Sequence, residues 1–262
     1  MKKDFKYLYG PVDSWRLGAS LGIDLLSQDA KVCSFDCCYC QLGRTPACST
    51  ERRLYVPTEK VLEEMAELPD VAIDYLTFSG IGEPTLAQNL GEVVSAVRRI
   101  RGEPIAVLTN ASLISREDVR EDLFSADYVI AKLDACSKAS FEAVNRPAPG
   151  IAWQDVLEGL KRFRADFGGE MALQIMFVHS NKDSAREIAW IAREINPDEV
   201  QINTPLRPCR EVPLSREIMG GIKGFFRGMN CVSVYDAEKV SVEPISKEHT
   251  MLRRGKKKDH DS

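Results

Sequence analysis

Residues 33 to 40 read Cys-Ser-Phe-Asp-Cys-Cys-Tyr-Cys, which sets Cys33, Cys37 and Cys40 in a C-x3-C-x2-C array. Three thiolates on one short loop are a metal site. A structural zinc centre takes four closed tetrahedral ligands, and no fourth Cys or His stands nearby at the usual spacing. A cubane iron–sulfur cluster also takes four ligands, so a three-thiolate loop leaves one iron open to a ligand that is not protein. Cys38, inside the array, is either one of the ligands or a core residue, since buried cysteines are common. Tyr39 puts an aromatic ring directly before the last thiolate.

Further polar residues fall where apolar runs end. Ser79-Gly80-Ile81-Gly82-Glu83-Pro84-Thr85 is a turn in which Gly80 and Gly82 let backbone approach a ligand closely and Glu83 offers a carboxylate to an ammonium. Asn110 either hydrogen-bonds a ribose or caps its own turn. Lys132 and Asp134, two apart in an apolar run, share one face of a strand. They form a structural ion pair or line a lumen and hold cofactor or substrate. Gln174 and Met176, and likewise Gln201 and Asn203, share faces, and Arg207 follows just beyond.

The elements that position these residues alternate. Ile23 to Leu26, Ala72 to Ser79, Ile105 to Thr109, Tyr128 to Leu133, Leu173 to Val178 and Val200 to Asn203 read as strands. Between them Val61, Leu62, Met65 and Leu68 mark one helix face, and Leu90, Val93, Val94, Val97 and Ile100 mark the next. Ser184 to Glu187 reads as a capping box. The fold class expected is α/β: an incomplete (β/α)6 TIM-like barrel of parallel strands with outer helices. Functional groups then gather at the carboxyl ends of the strands, and the cysteine loop follows the first of them. Polar Gln174, Lys132, Asp134, Gln201 and Asn203 make its lumen a ligand cavity.

At 262 residues and 44% apolar composition the chain can bury one large core. A single domain is expected over 1–246, with 247–262 a polar, mobile tail carrying the basic run Arg253 to Lys258. Eight cysteines without an apolar leader point to a reducing cytosol instead of a disulfide framework. No run has the apolar length to span a bilayer. A net charge of −4 leaves no global footprint for a nucleic-acid backbone.

From the cysteine array through Gly82-Glu83-Pro84 to the end of the sixth strand, the chain resembles the radical S-adenosylmethionine superfamily. The resemblance implies a [4Fe–4S] cluster on Cys33, Cys37 and Cys40, its fourth iron chelated by the amino and carboxylate groups of S-adenosyl-L-methionine, with Glu83 meeting the methionyl amino group. It further implies cofactor contacts from Tyr39, Gly80, Gly82, Asn110 and Asn203. Lys132, Asp134 and Arg207 are the catalytic candidates. The implied reaction is reductive cleavage to methionine and a 5′-deoxyadenosyl radical that abstracts hydrogen from a small-molecule, RNA or protein substrate, fed by a donor such as ferredoxin or flavodoxin. Gly10-Pro11-Val12, Arg16-Leu17-Gly18, Ser20 to Asp24, Gln41 to Thr45 and Asn145-Arg146-Pro147 resemble short Fe–S oxidoreductases loosely related to wyosine-synthesising tRNA enzymes. Cys38 departs from the aliphatic residue expected at its position. The competing class is a fully ligated Fe–S electron-transfer or zinc module completed by Cys38 or Cys48. Cys136 and Cys209 lie beyond strand ends as a second site or as buried singletons.

Overall fold

The computed structural model describes residues 5–237 and 241–254. Among them eight strands form one sheet in chain order: β1 (Leu8–Ser14), β2 (Gly18–Ile23), β3 (Tyr75–Phe78), β4 (Ile105–Thr109), β5 (Tyr128–Lys132), β6 (Glu170–Met176), β7 (Glu199–Asn203) and β8 (Cys231–Ser233). β1 pairs antiparallel with β2 and every later neighbour is parallel. The crossovers are α1 (Thr58–Ala66), α2 (Leu90–Arg98), α3 (Glu117–Leu123), α4 (Lys138–Val144), α5 (Trp153–Asp166), α6 (Ala185–Ile195) and α7 (Arg216–Lys223); α8 (Lys247–Arg254) follows β8.

The period-two alternation of the strands sorts side chains into two layers. Val107, Val129, Leu173 and Ile202 pack with Val94, Leu160 and Ile188 of the helices in one extensive core. Burying each of these aliphatic side chains contributes about 1.5–3 kcal/mol. Ala106, Tyr128, Ile130 and Ala172, one residue out of phase, face inward and form a separate cluster with Leu17 from the β1–β2 turn. That turn thus plugs the amino-terminal end of the lumen. The result is an incomplete TIM-like barrel in which β2 to β7 supply the six expected parallel strands.

The sheet also has two strands the sequence reading lacks. β1 is interrupted by Gly10-Pro11, where its register against β2 shifts between Tyr9 and Val12; proline gives up a ladder donor at little cost on an edge strand. β8 is only three residues long. The first parallel strand ends at Ile23 instead of starting there, because Gly18 and Gly22 dilute the apolar signal of β2. Ser184 caps α6 without a side-chain bond, so the expected capping box is absent; one forms instead between Ser137 and Ser140 at α4.

The expected mobile tail is also corrected for residues 247–254, which form α8 and pack on β1. Arg253 is buried, its Nε donating to Asp24 Oδ2 at 2.8 Å and its second terminal nitrogen to Lys6 O at 2.6 Å and Ser27 Oγ at 2.8 Å. The rest of the basic run, from residue 255 on, lies outside the described residues. No helix among the described residues is long and apolar enough to cross a membrane.

Candidate active site

The cysteine loop leaves β2 and is held on both sides by backbone pairing. On one side Val32 N donates to Ile81 O at 3.1 Å and Glu83 N to Val32 O at 3.0 Å. On the other, Asp36 N donates to Arg146 O, Cys38 N to Val144 O and Ala148 N to Ser34 O. The Asn145-Arg146-Pro147 segment is therefore a splint for the loop. Gly82 is required by its neighbour: a Cβ there would lie 1.5 Å from Val32 O. Gly80 likewise admits the Asp24 carboxylate, which would be 2.2 Å from a Cβ. Both glycines serve close packing of chain on chain, where the sequence suggested approach to a ligand.

One cavity at the carboxyl ends of the strands is lined by Cys33, Cys37, Cys40, Tyr39 and Glu83. Gly82, Asn110, Lys132 and Gln174 complete the predicted residues on its wall. Gly80, Asp134, Asn203 and Arg207 are not on it. A more open groove at the opposite end of the sheet, lined by Tyr75, Arg98, Tyr128 and Arg164, holds none of the predicted residues.

Burial pushes the Cys33 thiol up strongly, with Cys37 adding to the effect, and pushes Cys37 up to about 11 with help from Asp134. Ionised thiolates at this site therefore need a cation. Lys31 supplies one from protein, its Nζ 3.1 Å from Cys40 Sγ. Burial works against the Lys31 charge, but Cys40, Cys33 and Cys37 together outweigh it and its pKa rises. Asn110 and Asn145 each point an amide at a sulfur, 3.7 Å from Cys33 and Cys37 respectively.

Cys38 faces elsewhere, packed with Val144 and Val178, and burial with Glu211 pushes its thiol up to about 12. Cys48 sits by Asp36 and Thr45. Neither is on the cavity wall. Among the described residues no group of three His, Cys, Asp or Glu side chains is able to hold a single metal ion. Cys136 contacts Ser140 and Cys209 contacts Glu211 O, so the two make separate local contacts.

Glu83 is buried and braced. Its Oε1 accepts from Thr109 Oγ1 at 2.6 Å, Thr85 Oγ1 at 2.7 Å and Thr85 N at 3.1 Å, and its Oε2 from Asn110 N at 2.6 Å. Burial raises its pKa against all four bonds. The Asn110 amide is committed to the loops, donating to Ser34 Oγ at 2.9 Å and accepting from Ser112 N at 2.9 Å; of its two readings, capping is the one its bonds fulfil.

Asp134 is a structural hub. Its carboxylate accepts from Met176 N at 2.7 Å, Asn145 Nδ2 at 2.8 Å and Tyr39 Oη, and pairs with Lys132 Nζ at 2.9 Å. Its side chain has no exposure and is not on the cavity wall. Burial, then Asp134 and Cys37, keep the Tyr39 hydroxyl protonated, and the Lys132 ammonium lies over the Tyr39 ring, 4.9 Å from its centroid. Asn203 turns its side chain back to Thr204 N, and Arg207 donates to Arg254 O at 2.8 Å. The polar wall residues that the sequence reading did not place at the site are Arg16, Lys31 and Thr109. Lys31 was discoverable as a lone cation two residues before the first thiol; Arg16 was visible only as part of the Arg16-Leu17-Gly18 motif of the resemblance, with nothing local to place it at the site.

The Radical SAM superfamily profile matches residues 29–189. A UPF0026 protein of Synechocystis is 40% identical over 221 residues, covering 84% of this chain and 82% of that one. A UPF0026 protein of Methanocaldococcus jannaschii is 41% identical over 210 residues, covering 78% of this chain and 64% of that one. In fold, the chain is similar to anSMEcpe with bound AdoMet at TM-score 0.61 and 16% identity, over 82% of this chain and 64% of that one. It is also similar to Streptococcus suis SuiB bound to S-adenosylmethionine, at TM-score 0.58 and 15% identity, over 78% and 48%. With three thiols facing one cavity at the strand ends of an incomplete barrel, the chain belongs to the radical SAM superfamily and, within it, to the UPF0026 family.

Proposed function

We propose that this protein is a radical SAM enzyme whose [4Fe–4S] cluster is held by Cys33, Cys37 and Cys40 and whose S-adenosyl-L-methionine is anchored by Glu83. The observation that carries the reading is convergence: these three thiols and this carboxylate line one cavity, while Cys38 and Cys48 do not. The donor set fits the group. Three soft sulfurs on one cavity wall, with Cys38 packed elsewhere and Cys48 off that wall, suit a polynuclear cluster with one open iron. Held by Cys33, Cys37 and Cys40, the cluster would supply one-electron reductive cleavage of S-adenosyl-L-methionine and, through it, hydrogen abstraction from substrate, with a ferredoxin- or flavodoxin-type protein as electron donor.

The chain's own residues do the holding. Glu83, fixed by Thr85, Thr109 and Asn110 N, presents a preorganised carboxylate to an ammonium. Lys31 offsets charge on the thiolates. Leu42, Leu108 and Ile130 keep the cavity wall apolar, which limits water around a reactive species.

The test is anaerobic reconstitution followed by dithionite and S-adenosylmethionine. Wild type and Cys38→Ala should release 5′-deoxyadenosine, and Cys40→Ala should release none, because two thiolates cannot secure the cluster. Protein that fills with zinc and makes no nucleoside refutes the proposal; loss of release in Cys38→Ala would show a different triad.

A further inference from the structure

Two buried donors in the same cavity have nothing to donate to. Arg16 sits in the turn between β1 and β2, where Ser14 Oγ accepts from Leu17 N at 3.2 Å and buried Leu17 anchors the turn in the lumen floor. Its side chain reaches the cavity wall, its Nε is buried without a partner, and the guanidinium forms no ion pair among the described residues. The Trp15 ring, 5.1 Å away, is its one packing contact of note. Glu199, the acid that acts on it electrostatically, is itself held by Tyr128 Oη and Gln201 Nε2. Burial and the neighbouring Arg254 hold the Arg16 pKa down to about 10, so the cation is present at neutral pH, with no direct ion pair among the described residues.

Gln174, on β6, is 6% exposed and lines the same cavity. Lys132 Nζ donates to its Oε1 at 2.8 Å. A lysine can only donate, so this bond fixes which end of the amide is which, and leaves Nε2 buried with no acceptor. The cavity's carboxylate, Glu83, is engaged by threonine hydroxyls and backbone on the other side. Buried donors of this kind are paired in a functional complex, and what pairs with a guanidinium and an amide N–H2 together is an acceptor bearing negative charge.

We propose that Arg16 and Gln174 form a subsite for an oxyanion, a carboxylate or a phosphate, carried by a small-molecule substrate. The proposal rests on the radical SAM reading of the cavity and names the substrate class that reading leaves open. Arg16 enters from the turn that plugs the amino-terminal end of the barrel and Gln174 from the carboxyl half of β6 beside Lys132, while the thiols and Glu83 stand beyond the carboxyl ends of the strands. A small molecule held by its anionic group on Arg16 therefore extends its remainder toward the thiol end, where hydrogen abstraction would occur.

The experiment uses anaerobically reconstituted protein, titrated by calorimetry with inorganic phosphate and, separately, with succinate, each with and without saturating S-adenosylmethionine. One of the two anions should bind saturably and remain bound beside the cofactor, the tighter one assigning phosphate ester or carboxylic acid. Its affinity should fall at least tenfold in Arg16→Gln and in Gln174→Met, both checked for native circular dichroism, and hold in Arg164→Gln on the protein surface. If one variant fails to fold, the other carries the test. Three results overturn the proposal: neither anion saturates wild type, both folded variants bind as tightly as wild type, or S-adenosylmethionine displaces the anion competitively, which would make these donors part of the cofactor's own site. Release of 5′-deoxyadenosine by the same sample separates the two readings, since a silent wild type fails the enzyme assignment and an active wild type without anion binding fails only the subsite.

Discussion

Replacing Arg253 with methionine removes one partner of an ion pair in which both side chains are 1% exposed. The hydrogen bonds to Asp24, Lys6 O, Ser27 and His249 O disappear, and so does the cation 5.2 Å from the centroid of the Tyr9 ring. What remains is a buried carboxylate without a counter-charge. Breaking a buried pair from one side costs about 3–5 kcal/mol. With a urea m-value of about 3 kcal/mol/M for a chain of this size, the midpoint should fall by about 1–1.7 M at pH 7.5. The loss should depend on pH. Burial raises the Asp24 pKa even in the wild type, where Arg253 opposes it, so the native state holds a proton more tightly than the unfolded chain between the ordinary carboxylate range and the raised value. Stability therefore falls as pH rises through that window. Without Arg253 the raised value moves higher still. The deficit of Arg253→Met against wild type should thus be largest near neutral pH and shrink toward pH 4, as Asp24 becomes neutral. The double variant Asp24→Asn/Arg253→Met should recover part of the loss at pH 7.5. A midpoint shift under about 0.3 M, or a deficit that does not change with pH, would refute the claim that α8 is locked by a desolvated charge pair.

Gly82→Ala should destabilise by about 3–5 kcal/mol in urea unfolding, from overpacking against Val32 O and loss of the two backbone bonds that join the turn to the cysteine loop; an unchanged midpoint would show that the two segments can separate freely. Glu83→Gln removes the charge that meets an ammonium and turns an amide N–H2 toward surrounding donors, so S-adenosylmethionine affinity measured by equilibrium dialysis should fall about tenfold or more. Equal affinity in the two proteins would remove Glu83 from the cofactor site.

Local chemistry was legible in the sequence where it depends on near neighbours. The cysteine spacing and the Gly82-Glu83-Pro84 turn lie within single short segments, and the apolar faces of α1 and α2 repeat within a few residues. Ile100, counted on the α2 face, falls beyond the helix end and is exposed. Strand existence was readable for the long apolar runs of the parallel sheet, and unreadable for β1, broken by Gly10-Pro11, and β8, too short to show a period.

By itself the sequence determined which atoms are available: three thiols on one loop, a carboxylate after a strand, and an alternation of strand and helix that has few ways to fold. Only the tertiary structure decided which polar residues meet a ligand and which are consumed in holding the protein together. Tyr39 and Asp134 are 95 residues apart, and Asp24 and Arg253 are 229 apart. A charged side chain in an apolar run must find a partner or face a cavity, and that choice is set by what the fold brings beside it. For Asp134 and Arg253 it brought buried partners; for Arg16 and the Gln174 amide nitrogen it brought none.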